Sequence, residues 1–463
     1  MNEYLKKGGY PPFFVASPVT MHKVFLISLG CPKNRVDSEV ILGLLADDGL
    51  VLTPSPDEAD VVIINTCAFI QEAVQESIEA ILEAAQAKEK RRGTKLIVTG
   101  CLPQRYGEEL AREIPQVDLW IGTGEFPQIP RLLKEGEPTA LIKKPRYLYD
   151  HRTPRLITNT PHSVYVKIAE GCSHACTFCL IPRLRGPYRS RGMHSVIQEV
   201  EQLVAGGAAE VILVAQDTTA YGVDLGEGNG LYRLLKELVK INGLQWVRVL
   251  YAYPHPDNFP SSLLEMIASE EKICPYLDIP IQHVNGKILQ RMGRRASERE
   301  TRELINRIKK DYPGIHLRTT LMVGFPGEEE REFSELLAFV REAEFTHLGV
   351  FAYSPEEDSK AARLQGRISP KVAKERAAQI MEMQQGISWK KNTELIGSTL
   401  PVLIDGIVAG TEGILQGRTA FQAPEIDGAV HIKKGKAPSG KMVWVKITQA
   451  APYDLVGEID ERS

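Results

Sequence analysis

The stretch VYVKIAEGCSHACTFC, Val164–Cys179, decides how the rest of the chain is read. It opens on Val164–Ala169, an apolar run with the length and β-branched content of a buried strand. A compact loop follows, with Cys172, Cys176 and Cys179 in CxxxCxxC spacing. Three thiolates in one short loop suit a soft metal. A structural zinc site asks for four ligands, and no fourth cysteine is near; a zinc completed by His174 is the alternative. An iron–sulfur cluster on three thiolates keeps one iron open for a cofactor or substrate.

Downstream, five more strand-like runs alternate with helical patterns: Val211–Gln216, Val247–Tyr253, Leu277–Gln282, Leu317–Val323 and Leu348–Tyr353. Six such units predict a partial parallel barrel over residues 158–395. Its functional groups are expected at the carboxyl ends of the strands. There Gln216 and Asp217 follow the second strand, Tyr253 and His255 the third, Gln282 and His283 the fourth, and Gly324–Phe325–Pro326–Gly327 the fifth. The cofactor-binding candidates are Phe178, Gln216, Asp217, Gly324 and Pro326, whereas His255 and His283 read as packed or capping residues. Ser369–Glu394 reads as a polar linker helix. Beyond it, Leu400–Ile404, Val430–Ile432 and Met442–Thr448, with Gly and Pro between them, predict a small β-barrel or sandwich over 396–463.

Upstream, residues 22–140 alternate strand and helix. Lys23–Leu29, Val61–Asn65 and Leu96–Thr99 read as strands; Asp37–Leu45 reads as a helix capped by Asp37 or Ser38, with Gly49 beyond its end. A second helix is expected from the spacing of Ile70, Val74, Ile78, Ile81 and Ala85. This βαβαβ order predicts a parallel sheet. Each strand runs into a cysteine: Cys31, Cys67 and Cys101, about one βα unit apart. In a parallel sheet all three carboxyl ends lie on one edge, so three sequence-distant thiols converge. Unrelated core cysteines would fall anywhere along their strands. Cys274, before Pro275, has no companion and reads as structural.

The 463 residues leave room for about three domains, and a hydrophobic share of 43% with 25% charged residues is an ordinary globular profile. A net charge of −3 excludes a nucleic-acid binder held by bulk basic charge. No apolar run has the length of a membrane span. Lys6 and Lys7 precede a stretch broken by Pro and Gly, so a secretory signal is not expected; residues 1–21 read as a leader, with Met21 a candidate start. Seven cysteines without a secretion route point to a reducing cytoplasm and to metal binding rather than disulfides.

Two three-cysteine sets, a six-strand barrel and a small β-module together resemble the radical S-adenosylmethionine methylthiotransferase family, over essentially the whole chain after Met21. Ser28–Asn34 (SLGCPKN), Asp37–Glu39, Arg185–Arg191 (RGPYRSR), Gln216–Asp217 with Tyr221–Gly222, and Ala423–Gly428 (APEIDG) are similar to its RimO branch; Arg35 and Ala215 depart from the usual pattern. The resemblance implies two [4Fe-4S] clusters, one on Cys172, Cys176 and Cys179 that binds S-adenosylmethionine, and a second on Cys31, Cys67 and Cys101 that handles sulfur. It implies methylthiolation of the β-carbon of an aspartate in small-subunit ribosomal protein twelve, with an electron donor such as flavodoxin or ferredoxin. An unactivated C–H has no useful acidity, so a cofactor must open it. The C-terminal module is similar to a TRAM domain. It carries 7 Lys plus Arg and 8 Asp plus Glu over 398–463, which suits a basic protein partner better than RNA. It is expected to be a substrate-docking unit whose removal spares S-adenosylmethionine cleavage. A tRNA methylthiotransferase of the MiaB branch and a non-catalytic iron–sulfur carrier are the competing readings.

Overall fold

The computed structural model describes residues 22–91, 93–135, 139–158, 160–411 and 413–460; the expected leader and Met21 lie outside them. The N-terminal sheet is all parallel and has six strands rather than the three expected. They are β1 (Lys23–Ser28), β2 (Val51–Leu52), β3 (Val61–Thr66), β4 (Lys95–Gly100), β5 (Leu119–Ile121) and β6 (Ala140–Leu141), in the order β2-β1-β3-β4-β5-β6. Asn65 pairs with Ser28 on one side and Thr99 on the other, so β1, β3 and β4 end level with one another. The three added strands are two or three residues long, too short for an alternation pattern to show.

The helix after β1 runs Pro32–Asp47, not from Asp37. Cys31 is the N-cap residue and Pro32 the first helical residue, where its missing N–H costs nothing. Asp37 and Ser38 are therefore interior, and both are buried. One face of this helix, with Val36, Val40, Ile41 and Leu45, packs into an apolar core shared by the sheet, the barrel interior and the C-terminal module.

All six expected barrel strands are present. β7 (Ser163–Lys167) leads to a short antiparallel pair, β8 (Ala169–Glu170) with β9 (Arg189–Ser190); then come β10 (Glu210–Val214), β11 (Trp246–Val249), β12 (Tyr276–Asp278), β13 (His316–Val323) and β14 (His347–Ala352). The parallel sheets β11-β10-β7 and β12-β13-β14 join through Cys274 N–H to the Val247 carbonyl (2.9 Å) and Ala252 N–H to the Asp278 carbonyl (2.8 Å). Val247, Val249, Leu317, Leu321 and Val323 face the surrounding helices in one apolar cluster. The helix Pro370–Glu394 is no solvated linker. Ala373, Arg376, Ile380, Gln384 and Ser388 recur at helical spacing and are buried, and Gln384 Nε2 donates to the Phe345 carbonyl (2.8 Å).

The C-terminal module is a closed antiparallel-rich barrel of β15 (Thr399–Ile407), β16 (Leu415–Thr419), β17 (Val430–Lys434), β18 (Met442–Ala450) and β19 (Leu455–Ile459), in the order β15-β16-β17-β19-β18. Its loop after β16 closes the amino-terminal end of the six-strand barrel. Arg248 Nη1 donates to the Ala420 carbonyl (2.6 Å), Tyr276 Oη to Asp427 Oδ2 (2.7 Å), and Phe421 stacks on His316 at 4.2 Å between centroids. Gly428 is needed there, because a Cβ would come within 1.9 Å of the Tyr453 carbonyl oxygen. This face of the module is thus committed to the barrel, so its removal would uncover the barrel's amino-terminal end. Among the described residues, no helix is long and apolar enough to cross a membrane.

Candidate active site

Cys31, Cys67 and Cys101 each sit one to three residues past the carboxyl ends of β1, β3 and β4, as the parallel register requires. Two glycines make their approach possible. Gly30 has φ +87°, and a Cβ on it would lie 2.6 Å from Cys67 Cβ and 3.0 Å from Cys67 Sγ. Gly100 has φ +101° and backs onto Asn65 and the Thr66 backbone. Burial, with the neighbouring Cys101 and Cys31 thiolates adding to it, pushes the Cys67 thiol up to about 12. Burial also raises Cys101, against the pull of Arg185.

Cys172, Cys176 and Cys179 leave β8 in one loop. His174 N–H donates to Cys172 Sγ (3.5 Å), and Arg294 Nη1 donates to Cys176 Sγ (3.7 Å). Burial raises Cys172 to about 11, with Asp217 and Cys176 adding to it, and Cys179 to about 12, with Cys176 and Cys172 adding to it. Such thiols ionise when a metal replaces the proton. All seven cysteines are free. Among the described residues, no three His, Cys, Asp or Glu side chains close around one point as a single ion requires. His174 Nε2 is engaged by a carboxylate. Its Nε2 lies 2.7 Å from Asp217 Oδ2, and its ring stacks on Tyr253 at 3.7 Å.

A buried charged network, not foreseen from sequence, runs from Cys101 of the first set to Glu170, two residues before Cys172 of the second. Arg185 Nη2 donates to Cys101 Sγ (3.5 Å) and Asn34 Oδ1 (2.9 Å), and Nη1 pairs with Asp37 and with Glu170 (3.4 Å). Lys167 Nζ pairs with Asp37 and with Glu170 Oε2 (2.7 Å). Gln216 Nε2 donates to Glu170 Oε1 (3.0 Å). Burial alone would raise the Glu170 carboxyl, but Lys167 and Arg185 outweigh it and hold it down to about 2. The sequence signal was present: Lys167 and Glu170 interrupt an otherwise apolar strand, and charges are buried only when paired.

The expected cofactor contacts divide. Gln216 and Asp217 stand beside the CxxxCxxC loop, and Gln216 Oε1 is buried with no hydrogen-bond partner among the described residues. Asp217 Oδ1 is taken by Thr219 N–H (2.9 Å) and Ala220 N–H (3.2 Å), besides the Thr219 hydroxyl. Phe178 packs edge-on against Phe325 at 6.4 Å, fastening the loop to the turn after β13. In that turn Gly324 N–H donates to Glu328 Oε1 (3.0 Å), and the Pro326 carbonyl accepts from Arg291 Nε (2.8 Å). Gly324 and Pro326 thus shape the turn through their backbone. His255 lies 3.5 Å from Asp257, and the fully buried His283 lies 3.6 Å from Glu328, as packed residues would. Cys274 is buried beside Arg248, and burial pushes its thiol up to about 12. Cys274→Ser is expected to keep the iron content and activity of the unchanged enzyme; loss of one cluster's iron would show a wrong ligand set.

Comparison with known proteins bears on this arrangement. Residues 23–122 match "Uncharacterized protein family UPF0004", residues 166–340 the "Radical SAM superfamily", and residues 396–459 the "TRAM domain". "Ribosomal protein uS12 methylthiotransferase RimO" of Syntrophotalea carbinolica is 48% identical over 96% of this chain and 98% of its own. The protein of that name from Geobacter sulfurreducens is 49% identical over 94% and 98%. The solved radical S-adenosylmethionine methyltransferase TsrM from Kitasatospora setae, with cobalamin and a [4Fe-4S] cluster bound, shares the fold alone: TM-score 0.54, 17% identity, 72% of this chain and 75% of that one. The superfamily match and these relatives make the chain a radical S-adenosylmethionine transferase. The chain belongs to the RimO family of ribosomal protein uS12 methylthiotransferases.

Proposed function

We propose that this enzyme places a methylthio group on the β-carbon of an aspartate in ribosomal protein uS12, with Cys31, Cys67 and Cys101 holding one [4Fe-4S] cluster and Cys172, Cys176 and Cys179 the other. One observation supports the reading above the others: Arg185 donates to Cys101 of the first set and pairs with Glu170, two residues before Cys172 of the second. The donor sets fit. Each offers three free thiols, the soft donors an iron–sulfur cluster takes, and Gly30 leaves room beside Cys67 that a Cβ would fill. The unpartnered Gln216 Oε1 is an acceptor suited to the ammonium of S-adenosylmethionine. When bound, the clusters and S-adenosylmethionine supply radical hydrogen abstraction and the sulfur.

The chain's own residues do the rest. Arg294 and the His174 N–H donate to thiolates of one set, and Arg185 donates to a thiolate of the other. Such donors stabilise the charge that thiolates bring. Asp37 and Glu170 in turn balance Arg185 and Lys167, so the site stays rigid. The outer face of the C-terminal barrel docks the ribosomal protein, and a one-electron donor such as flavodoxin or ferredoxin serves the enzyme in the cytoplasm.

Mass spectrometry of ribosomal protein uS12 and of bulk tRNA from a strain lacking this gene tests the proposal. The aspartate-bearing peptide is expected to lose the mass of one methylthio-for-hydrogen exchange, with tRNA nucleosides unchanged. A loss confined to tRNA nucleosides transfers the activity to tRNA and ends this reading.

A further inference from the structure

Lys33 differs from three other cations near the two cysteine sets, and from Arg294, which at least donates to Cys176 Sγ. Lys167, Arg185 and Arg318 each pair with a carboxylate, the last with Asp278 at 3.1 Å. Lys33 is half-buried, yet among the described residues no carboxylate lies within ion-pair distance of its ammonium. None of its three N–H donors has a hydrogen-bond acceptor there either. The ammonium rests on the face of Tyr251, 3.3 Å from the ring centroid. It also sits in the first turn of the helix Pro32–Asp47, where the helix dipole disfavours a positive charge. A half-buried cation without a counter-charge in that place costs stability.

The ring beneath it is held with equal care. Tyr251 has φ +63°, an uncommon conformation for a bulky residue. Its N–H donates to Asp278 Oδ2 (3.1 Å), and its carbonyl accepts from Thr218 N–H (3.0 Å). Strain held by surrounding hydrogen bonds is a mark of functional positions. Lys33 comes two residues after Cys31, and the charges that reach its ammonium are those of Cys31, Asp278, Arg185 and Glu170. The Tyr251 ring beneath it belongs to a residue bonded to Thr218, next to Asp217, whose carboxylate meets His174 of the CxxxCxxC loop, so Lys33 lies between the two cysteine sets.

We propose that Lys33 is a specificity residue that receives the carboxylate of the substrate aspartate; this rests on the functional reading above. The ammonium donates to the carboxylate while Tyr251 fixes its position, so the adjacent β-carbon is presented between the two sets. A neutral asparagine in the same place offers an acceptor but no counter-charge, and discrimination follows from that difference. S-adenosylmethionine also carries a carboxylate, and the experiment separates the two sources.

The test measures anaerobic binding of the reconstituted enzyme to two synthetic peptides of the ribosomal protein loop, one with the target aspartate and one with asparagine. S-adenosylmethionine affinity is measured alongside, for the unchanged enzyme, K33M and K33R. The unchanged enzyme is expected to prefer the aspartate peptide by roughly ten- to a hundredfold, the range for a hydrogen bond to a charged group. K33M is expected to bind both peptides alike, with iron content and S-adenosylmethionine affinity kept; K33R is expected to keep most of the preference. A K33M enzyme that still prefers aspartate overturns the proposal. So does one that keeps the preference and loses S-adenosylmethionine affinity, which would assign Lys33 to the cofactor. Should the unchanged enzyme itself show no preference, the substrate reading falls, and the role of Lys33 with it.

Discussion

With Cys31, Cys67 and Cys101 all replaced by alanine, the reconstituted enzyme is expected to cleave S-adenosylmethionine under reduction and to transfer no sulfur at all. Its iron should fall to about half, by the logic of two equal clusters. The three thiols come from the strand ends of the N-terminal sheet, whereas Cys172, Cys176 and Cys179 come from one loop of the barrel. The link between them survives the change. Arg185 loses Cys101 as an acceptor but keeps Asp37, Glu170 and Asn34, so no buried charge is stranded. The reciprocal triple variant at Cys172, Cys176 and Cys179 should lose both reactions. Deoxyadenosine analysis beside an iron determination reads both outcomes. No deoxyadenosine from a folded first variant would mean that the two sets do not divide the labour in this way.

Glu210→Gln is expected to cost about 3–5 kcal/mol of stability, the usual penalty for removing one partner from a buried ion pair. Glu210 is fully buried between Arg248 (2.8 Å) and Arg418 (2.9 Å), one from the six-strand barrel and one from the C-terminal module. Burial alone would raise its carboxyl, but Arg418 and Arg248 outweigh that and hold it down to about 2. An unfolded glutamate titrates near about 4.3. The folded value is the lower one, so the stabilisation is complete above about pH 4.3 and is lost as pH falls towards about 2. Chemical denaturation across that window should show a smaller acid dependence in the variant. An unchanged midpoint at neutral pH would show that the interface does not depend on this charge. The same geometry makes deletion of residues 398–463 a stability experiment. It strands Glu210 with one partner fewer and strips Tyr276 and Arg318 of Asp427, so a misfolded barrel is expected rather than an active core.

How much of this was legible in the chain depended on the range of the interaction. Local signals sufficed for the six barrel strands, because a buried parallel strand is a short apolar run flanked by turns. They also sufficed to place Cys31, Cys67 and Cys101 at the ends of neighbouring strands, since strands of one parallel sheet end on one edge. They failed at the start of the first helix, where a capping reading of Asp37 competed with Pro32 in the first turn. They failed again for Ser369–Glu394, whose charged composition hid the buried line of Ala373, Ile380 and Gln384.

What the amino-acid sequence determined by itself was thus the periodic part of the fold and the ligand-type residues at strand ends: both follow from neighbours along the chain and from the geometry of a single sheet. The tertiary structure alone decided which charges meet. Asp37 reaches Lys167 and Arg185 across more than a hundred residues of chain, Glu210 reaches Arg418, and Lys33 finds an aromatic face instead of a carboxylate. No spacing rule encodes such pairs. A charge can be buried only where folding brings an opposite charge, a hydrogen bond or a ligand to it, and that is known only once the distant segments have packed.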